Sequence, residues 1–300
     1  MICENSLISV IIPLYNRENT IVDSIHSVLN QKRTNGKLFN IELIVVDDCS
    51  NDRSVQEVEK IDDDRIKIIK LHKNLGANYA RNIGIKESLG QIIAFQDSDD
   101  VWREGKLLVQ LNKLIEEKAD LVCCNLQQEE LETKKVVISR EDGWLSSKDL
   151  LYVNIISTQT IVSKREVFDY NQFKLGLPRF QDWEFALRIS NKYKIFYISD
   201  VLVNQRIQKN SISKNVHSAA VALKYIWCNY EHLFKSSKKD AVHLLRMLGD
   251  SSYSSGYFCS DYLKESLRYS FNFKYFIKYI YIRYIWEKIK TRKVLDLLNN

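Results

Sequence analysis

Residues 74–100 read NLGANYARNIGIKESLGQIIAFQDSDD. The segment 76–90 has helical spacing and stops at Gly90, and the QIIAF that follows is an apolar run of strand length. The run ends in three carboxylates within four positions, Asp97, Asp99 and Asp100. A helix feeding directly into an apolar strand is the repeating unit of a parallel sheet covered on both faces. Ligands of such sheets bind beyond the carboxyl ends of the strands, where this acidic turn falls. Crowded carboxylates repel one another, so the turn calls for a cation or a cationic partner.

The same alternation extends outward. LISVIIP (7–13) is a strand run, NTIVDSIHSVLNQ (19–31) has helical spacing, and IELIVVDD (41–48) is a second apolar strand ending in paired carboxylates. A polar helix near 53–60, a half-exposed strand in RIKIIKL (65–71), a helix over 104–118 and a strand over 120–126 follow. Further on, EELETKKVVIS (129–139) suggests a hairpin arm and SSKDLL (146–151) a short Ser-capped helix. TQTIVS (158–163) reads as a strand, a helix starts at about Trp183, and KIFYISDVLVNQR (194–206) closes the α/β part. Beyond Ser213 the pattern is helical throughout, which predicts an α/β domain over 1–213 and a helical region over 214–300.

Composition sets outer limits. A chain of 300 residues with 45% hydrophobic and 27% charged residues is globular, and no apolar run reaches the roughly 18–20 residues of a membrane span. The start, MICENSLISVIIP, lacks a basic leader region and reads as a mature N-terminal strand of a cytoplasmic protein. Six cysteines (3, 49, 123, 124, 228 and 259) show no metal-site spacing and are expected as reduced thiols. Residues 262–300 carry nine Lys/Arg against three Asp/Glu. The rest of the chain is neutral, with 44 − 9 = 35 basic and 38 − 3 = 35 acidic residues, so an anionic partner is expected at the tail. Neither G-x-G-x-x-G nor G-x-x-x-x-G-K-[ST] occurs, which removes the dinucleotide and P-loop readings.

An Asp-x-Asp alone is as well explained by a solvated acidic turn. At the end of a parallel strand, however, hard oxygen ligands with open positions suit Mg²⁺ or Mn²⁺ carrying phosphate oxygens. Four stretches then resemble the family 2 inverting glycosyltransferases of the GT-A fold: SVIIPLYNRENTI (9–21), IVVDDCSND (44–52), the 74–100 block and RFQDWEFALRIS (179–190). The resemblance spans residues 9–190, about two thirds of the chain. It implies a GT-A fold, a mostly parallel sheet flanked by helices, with a C-terminal helical extension. It also implies transfer from a nucleotide-sugar, with UDP expected, to a glycan or polyprenyl-linked glycan acceptor at the inner membrane face. By the same resemblance, the product is expected to belong to cell-surface polysaccharide synthesis. No Gln-x-x-Arg-Trp motif accompanies it, so a non-processive enzyme is expected.

Carried over residue by residue, the resemblance makes Asp99 the main metal ligand and places Asp97 near the donor ribose or the metal. Asp100 is expected as a helix-capping support, with ligation as the alternative. Pro13, Tyr15 and Arg81 fall beside the nucleotide, and Asp47 or Asp48, with Asp48 preferred, at the base. Asp182 matches the catalytic base, although Gln181 stands where the family commonly has Glu, and an N-cap role for Asp182 is the plain alternative. Asn74 and Asn82 read as structural. Trp102, Thr158 and Gln159 are candidates for the donor pocket. Two rival functions remain: a sugar nucleotidyltransferase, disfavoured because PLYNREN holds no glycine, and a non-catalytic glycan- or membrane-binding adaptor.

In the tail segment 270–293, Phe273, Phe276, Ile277, Ile280 and Tyr284 share one helical face. Tyr275, Tyr279, Ile282 and Trp286 lie nearly opposite, with Lys274, Lys278, Arg283 and Lys290 mainly between. An anionic membrane surface accounts for this pattern. So does a helix buried on both sides in a helical subdomain or homodimer, and the sequence leaves both open. No nucleic-acid module accompanies these residues, and no nucleic-acid partner is expected.

Overall fold

The computed structural model describes residues 2–130, 133–138, 140–207, 215–254 and 260–286. Two compact units form: Met1–Gly176 with Gln181–Lys209, and Leu177–Phe180 with Asn210–Asn300. The expected boundary near 213 falls within 208–214, outside the described residues.

The first unit opens with β1 (Ile8–Leu14), α1 (Ile21–Leu29), β2 (Ile41–Asp47), α2 (Ser54–Glu59), β3 (Ile66–Lys70), α3 (Ala77–Glu87) and β4 (Ile92–Phe95). It continues with β5 (Val101–Trp102), α4 (Lys106–Glu116), β6 (Leu121–Glu130), β7 (Thr133–Val136), β8 (Gly143–Leu145) and α5 (Ser147–Tyr152). Then come β9 (Val162–Lys164), α6 (Arg165–Asp169), α7 (Gln181–Ile189) and β10 (Ile195–Arg206). One sheet runs in the order β3-β2-β1-β4-β9-β6-β10-β5, with β7 pairing β6 and β8 pairing β10. The continuous apolar runs behave as their composition demands: every residue of β1 and β4 is buried, whereas the alternating β3 lies at the edge.

β3, β2, β1 and β4 are parallel, and so are β6 and β10; β9 enters antiparallel between β4 and β6 and makes the sheet mixed. The stretch 158–163 is only half strand, because Thr158–Thr160 close a 3₁₀ turn in which Thr160 N–H donates to Ser157 O at 2.9 Å. The chain runs from β1 to β2 on one side and brings β4 to the other. The loops after β1 and β4 therefore flank the switch point at which such sheets bind ligands.

α3 sits tightly on this sheet. Gly84 faces Ile11 of β1 so closely that any Cβ would overlap the isoleucine side chain. Asn82 exchanges two hydrogen bonds with the Phe173 backbone, donating to its O and accepting from its N–H, each at 2.9 Å. Phe173 belongs to a cluster with Phe95, Phe168 and Phe185, in which the Phe168 and Phe185 rings stack at 4.9 Å. A core of this kind gives α3, β4 and α7 fixed positions.

The second unit contains α8 (Val216–Phe234), α9 (Lys238–Ser254), α10 (Asp261–Tyr269) and α11 (Phe273–Ile280), with a wider turn over Tyr281–Trp286. Leu244, Leu245 and Leu248 of α9 and Leu263 of α10 are fully buried in it. On α11 and the turn beyond, Ile282 is buried and the Tyr275 hydroxyl donates to Asp250, while Phe273, Ile277 and Tyr284 are exposed. The two apolar faces read from sequence thus differ: one packs and the other meets solvent. Lys290 and the side chain of Trp286 lie outside the described residues. No described helix is long and apolar enough to cross a membrane. The five described cysteines are free, and Cys259 lies outside the described residues.

Candidate active site

Three strand ends build the site. The loop after β1 carries Tyr15, Asn16 and Arg17, following Pro13, which is buried within β1 and pairs with Val46. Tyr15 is 40% exposed, unusual for a large ring so close to a buried strand. Asn16 and Cys49, each just beyond a strand end, adopt left-handed backbone at φ 51° and 66°. Two such residues on neighbouring loops mark a place where local strain is held by surrounding structure. That structure is visible: Asn16 N–H donates to Ser50 Oγ at 3.0 Å, and Asn51 N–H donates to Asn16 Oδ1 at 2.8 Å.

The paired carboxylates after β2 do different things. Asp47 Oδ1 and Oδ2 accept from Ser50 N–H at 3.2 and 3.3 Å. Asp48, only 2% exposed, accepts from Leu75 N–H and Gly76 N–H, each at 2.7 Å, one to each oxygen. Gly76 precedes α3 at φ 91°, where a side chain is strained, so glycine lets the chain turn over the Asp48 carboxylate. Asp48 thereby fixes the start of the helix that carries Arg81.

Arg81 is buried at 4% exposure, not a surface arginine. Its Nη2 donates to Asp97 Oδ1 at 2.7 Å, its Nη1 to Asn78 Oδ1 at 3.3 Å, and its guanidinium lies 5.8 Å from the Phe173 ring centroid. Asp99 has its own arginine: Arg17 Nε donates to Asp99 Oδ2 at 3.1 Å. Two of the three acids of the turn, Asp97 and Asp99, therefore carry a cationic partner, which answers part of the crowding seen in the sequence. Burial, followed by repulsion from Asp97, pushes the Asp99 carboxyl up, and Arg17 opposes the shift.

Asp100 is 2% exposed and behaves as a brace. Its Oδ2 accepts from Gln159 Nε2 at 2.8 Å and its Oδ1 from Arg206 N–H at 3.0 Å, tying β4 to the 3₁₀ turn and to the end of β10. Burial first, then Asp97 and Asp99, push its carboxyl well above the usual range. Trp102, Thr158 and Gln159 are all buried behind this turn, and Trp102 Nε1 donates to Gln159 O at 3.3 Å. Lys106, fully buried, holds its ammonium 3.9 Å from the Trp102 ring centroid, and burial lowers it to about 8.

α7 begins at Gln181, so Asp182 lies inside the first turn and is not its N-cap. Its Oδ1 accepts from Asn154 Nδ2 at 2.9 Å and from Trp183 N–H at 2.8 Å. Burial raises the Asp182 carboxyl to about 6; the two hydrogen bonds and Arg81 pull it down, and Asp97 pushes it up. Asp182 thus lies within electrostatic reach of both Arg81 and Asp97. Glu184, 1% exposed, is paired instead with Arg188 at 2.9 Å.

Among the described residues no three His, Cys, Asp or Glu side chains gather as a metal cage. Two partly exposed carboxylates, Asp97 at 26% and Asp99 at 22% side-chain exposure, fit a hard cation that completes its shell with phosphate and water oxygens. Arg17 and Asn154 were not singled out from sequence. Arg17 lies in the quoted PLYNREN, but nothing in the pattern says which carboxylate it meets 82 residues on. Asn154 had no signal, because its partner is set by how α5 and α7 pack.

The family model described as glycosyl transferase family 2 matches residues 9–173. TuaG of Bacillus subtilis, named for teichuronic acid biosynthesis, is 33% identical over 76% of this chain and 89% of its own length. The Escherichia coli UDP-Glc:alpha-D-GlcNAc-diphosphoundecaprenol beta-1,3-glucosyltransferase WfgD is 29% identical over 71% of this chain and 81% of its own. Among solved structures, S. aureus TarS in complex with UDP-GlcNAc superposes with a TM-score of 0.64 at 18% identity, covering 87% of this chain and 81% of that one. The mannosyltransferase PcManGT of Pyrobaculum calidifontis, in complex with GDP-Man and Mn²⁺, gives 0.61 at 16%, covering 97% and 80%.

Proposed function

The chain belongs to glycosyl transferase family 2, and on that premise we propose that it is a metal-dependent, inverting, non-processive enzyme. It transfers a hexose from a UDP-sugar to a glycan carried on a polyprenyl diphosphate, in the synthesis of a bacterial surface polysaccharide. The observation that carries the reading is the geometry of Asp182, in the first turn of α7 with Oδ1 fixed by Asn154 and the Trp183 N–H, and burial raises its carboxyl to about 6. A base of that strength accepts the acceptor hydroxyl proton as its oxygen attacks the anomeric carbon, and the bond to the diphosphate breaks on the opposite side. Mn²⁺ or Mg²⁺ held by Asp99 and Asp97 supplies the positive charge that makes the diphosphate a good leaving group.

Each remaining residue has a part in this reading. Arg81 holds Asp97 and adds charge near the diphosphate. Tyr15, partly exposed, offers a ring face to the base. Pro13 fixes the strand end ahead of it. Asp48 shapes the floor of the base pocket through the 74–76 loop, with lone pairs left over for a base N–H. The UDP preference is supported by the UDP donor in the name of WfgD and the UDP-GlcNAc in the TarS complex. The diphosphoundecaprenol in the name of WfgD supports a lipid-linked acceptor.

Such an acceptor lies at a membrane. In the second unit Phe271 and Phe273 (68% each), Ile277 and Tyr284 are exposed beside Lys274 and Arg283, a surface suited to an anionic lipid interface. Membership of a family of glycosyl transferases, rather than of nucleotidyl transferases, argues against the nucleotidyltransferase alternative. The direct test is a donor screen: purified protein with Mn²⁺ or Mg²⁺ and a panel of nucleotide-sugars, read as slow hydrolysis without acceptor. Turnover of a UDP-sugar only when metal is added supports the reading; turnover confined to a GDP- or dTDP-sugar, or undiminished by chelator, overturns the corresponding part.

A further inference from the structure

Asp97 and Asp99 of the acidic turn share a feature. Arg17 takes Oδ2 of Asp99 at 3.1 Å, and Arg81 takes Oδ1 of Asp97 at 2.7 Å. Each acid is thus tied to an arginine through one oxygen. Arg17 is itself built in. Its N–H donates to Ser54 Oγ at 2.6 Å and its Nη1 to Asn16 O at 2.9 Å. The loops after β1 and β2 cross-link around it through Asn16, Ser50 and Asn51.

We propose that Arg17 is a metal-selectivity residue: by occupying one oxygen of Asp99 it limits that ligand to a single bond with the cation and so favours Mn²⁺ or Mg²⁺ over Ca²⁺. The inference rests on Asp97 and Asp99 being the ligands. A carboxylate with one oxygen engaged by a guanidinium offers the other oxygen to the metal. Mn²⁺ and Mg²⁺ form compact six-coordinate shells that single-oxygen carboxylates, phosphate oxygens and waters fill well. Ca²⁺ is larger, takes six to eight oxygens and gains from two-oxygen carboxylates, which Arg17 denies it at Asp99. Removing the guanidinium returns Oδ2 to the cation and relaxes the preference. Arg81 places the same restriction on Asp97 but also belongs to the nucleotide site, so Arg17 is the residue on which the effect separates from donor binding.

The test uses the full chain with saturating UDP. Bound Mn²⁺ is followed by the electron paramagnetic resonance signal of the free ion while Ca²⁺ is added as competitor. Arg17→Gln and Arg17→Met are compared with wild type, two variants so that one misfolded protein does not end the experiment. The expected result is that Mn²⁺ still binds while the ratio of Ca²⁺ to Mn²⁺ affinity rises at least about fivefold. A ratio unchanged within about twofold, a ratio that falls, or loss of Mn²⁺ binding in a folded variant overturns the proposal. Asp99→Asn separates the two levels. If it binds both ions as wild type does, the metal-site reading fails and takes this inference with it. If it loses Mn²⁺ while the Arg17 variants keep the wild-type ratio, the selectivity inference alone fails.

Discussion

Asn154 donates its side-chain N–H to Oδ1 of Asp182 at 2.9 Å, the same oxygen that receives the Trp183 N–H at 2.8 Å. One oxygen of the proposed base is therefore fixed by two donors. Both bonds favour the ionised form, yet burial outweighs them and the carboxyl stands at about 6. Because the base acts ionised, kcat/KM is expected to fall roughly tenfold per pH unit below about 6. Asn154→Ala removes a stabiliser of the carboxylate and moves that limb to higher pH. A pH–rate profile of both proteins checks the shift; an unmoved limb removes Asn154 from the mechanism.

Asp182→Asn is expected to lower transfer by roughly 10²–10⁴-fold while UDP still binds. It also carries a stability signature. The folded carboxyl titrates at about 6 against an ordinary 3.8, so the folded state binds the proton more tightly than the unfolded chain. The stability from this group is full below 3.8 and is lost as pH rises through about 6. The neutral amide escapes that loss, so the variant melts above wild type at pH 8, with the difference shrinking by pH 4. Thermal melts at the two pH values measure it, and a variant that melts lower at pH 8 contradicts the burial argument.

Asp99→Ala is expected to abolish the increase in UDP affinity brought by Mn²⁺ while leaving metal-free UDP binding largely intact. Calorimetric titration with UDP, with and without Mn²⁺, checks it. Equal enhancement in the variant and the wild type removes Asp99 from the metal site.

Asp48→Ala strips two backbone N–H groups, of Leu75 and Gly76, of their buried acceptors. The expected cost is about 3 kcal/mol in denaturant unfolding, with weakened UDP binding because the loop leading to Arg81 loosens. A loss of nucleotide affinity at unchanged stability points instead to direct base contact.

Gly84→Ala drives a methyl into Ile11 and is expected to destabilise by about 1–3 kcal/mol. Gly143→Ala meets nothing within 4 Å and serves as the neutral control. On the second unit, Phe273→Glu and Ile277→Glu are expected to reduce co-sedimentation with phosphatidylglycerol vesicles by about tenfold without changing turnover of a soluble acceptor. Wild-type binding no stronger than to neutral phosphatidylcholine vesicles ends the membrane reading.

The continuous apolar runs of β1, β2 and β4, the helix that ends before Gly90, and the acidic turn that follows were legible from residues 7–100 alone. Side-chain periodicity and strand-end chemistry are local, and in a parallel sheet they dictate where a ligand crevice lies. That Asp97, Asp99 and Asp182 are candidates for the site was legible too, through the resemblance of their surroundings to the family's motifs. What those acids touch was not. The Arg17–Asp99 pair joins residues 82 positions apart and Asp100–Arg206 residues 106 apart; both are decided by which loops the sheet order brings together. The antiparallel entry of β9 between β4 and β6 belongs to the same class, since a three-residue strand carries no directional signal. The tail helix shows the division most plainly. Its sequence set two apolar faces, but only packing against α9 and α10 turned the Tyr275–Ile282 side inward, half-burying Tyr275 and burying Ile282, and left Phe273, Ile277 and Tyr284 in solvent, because a helix with two apolar faces covers whichever one its neighbours present a surface to.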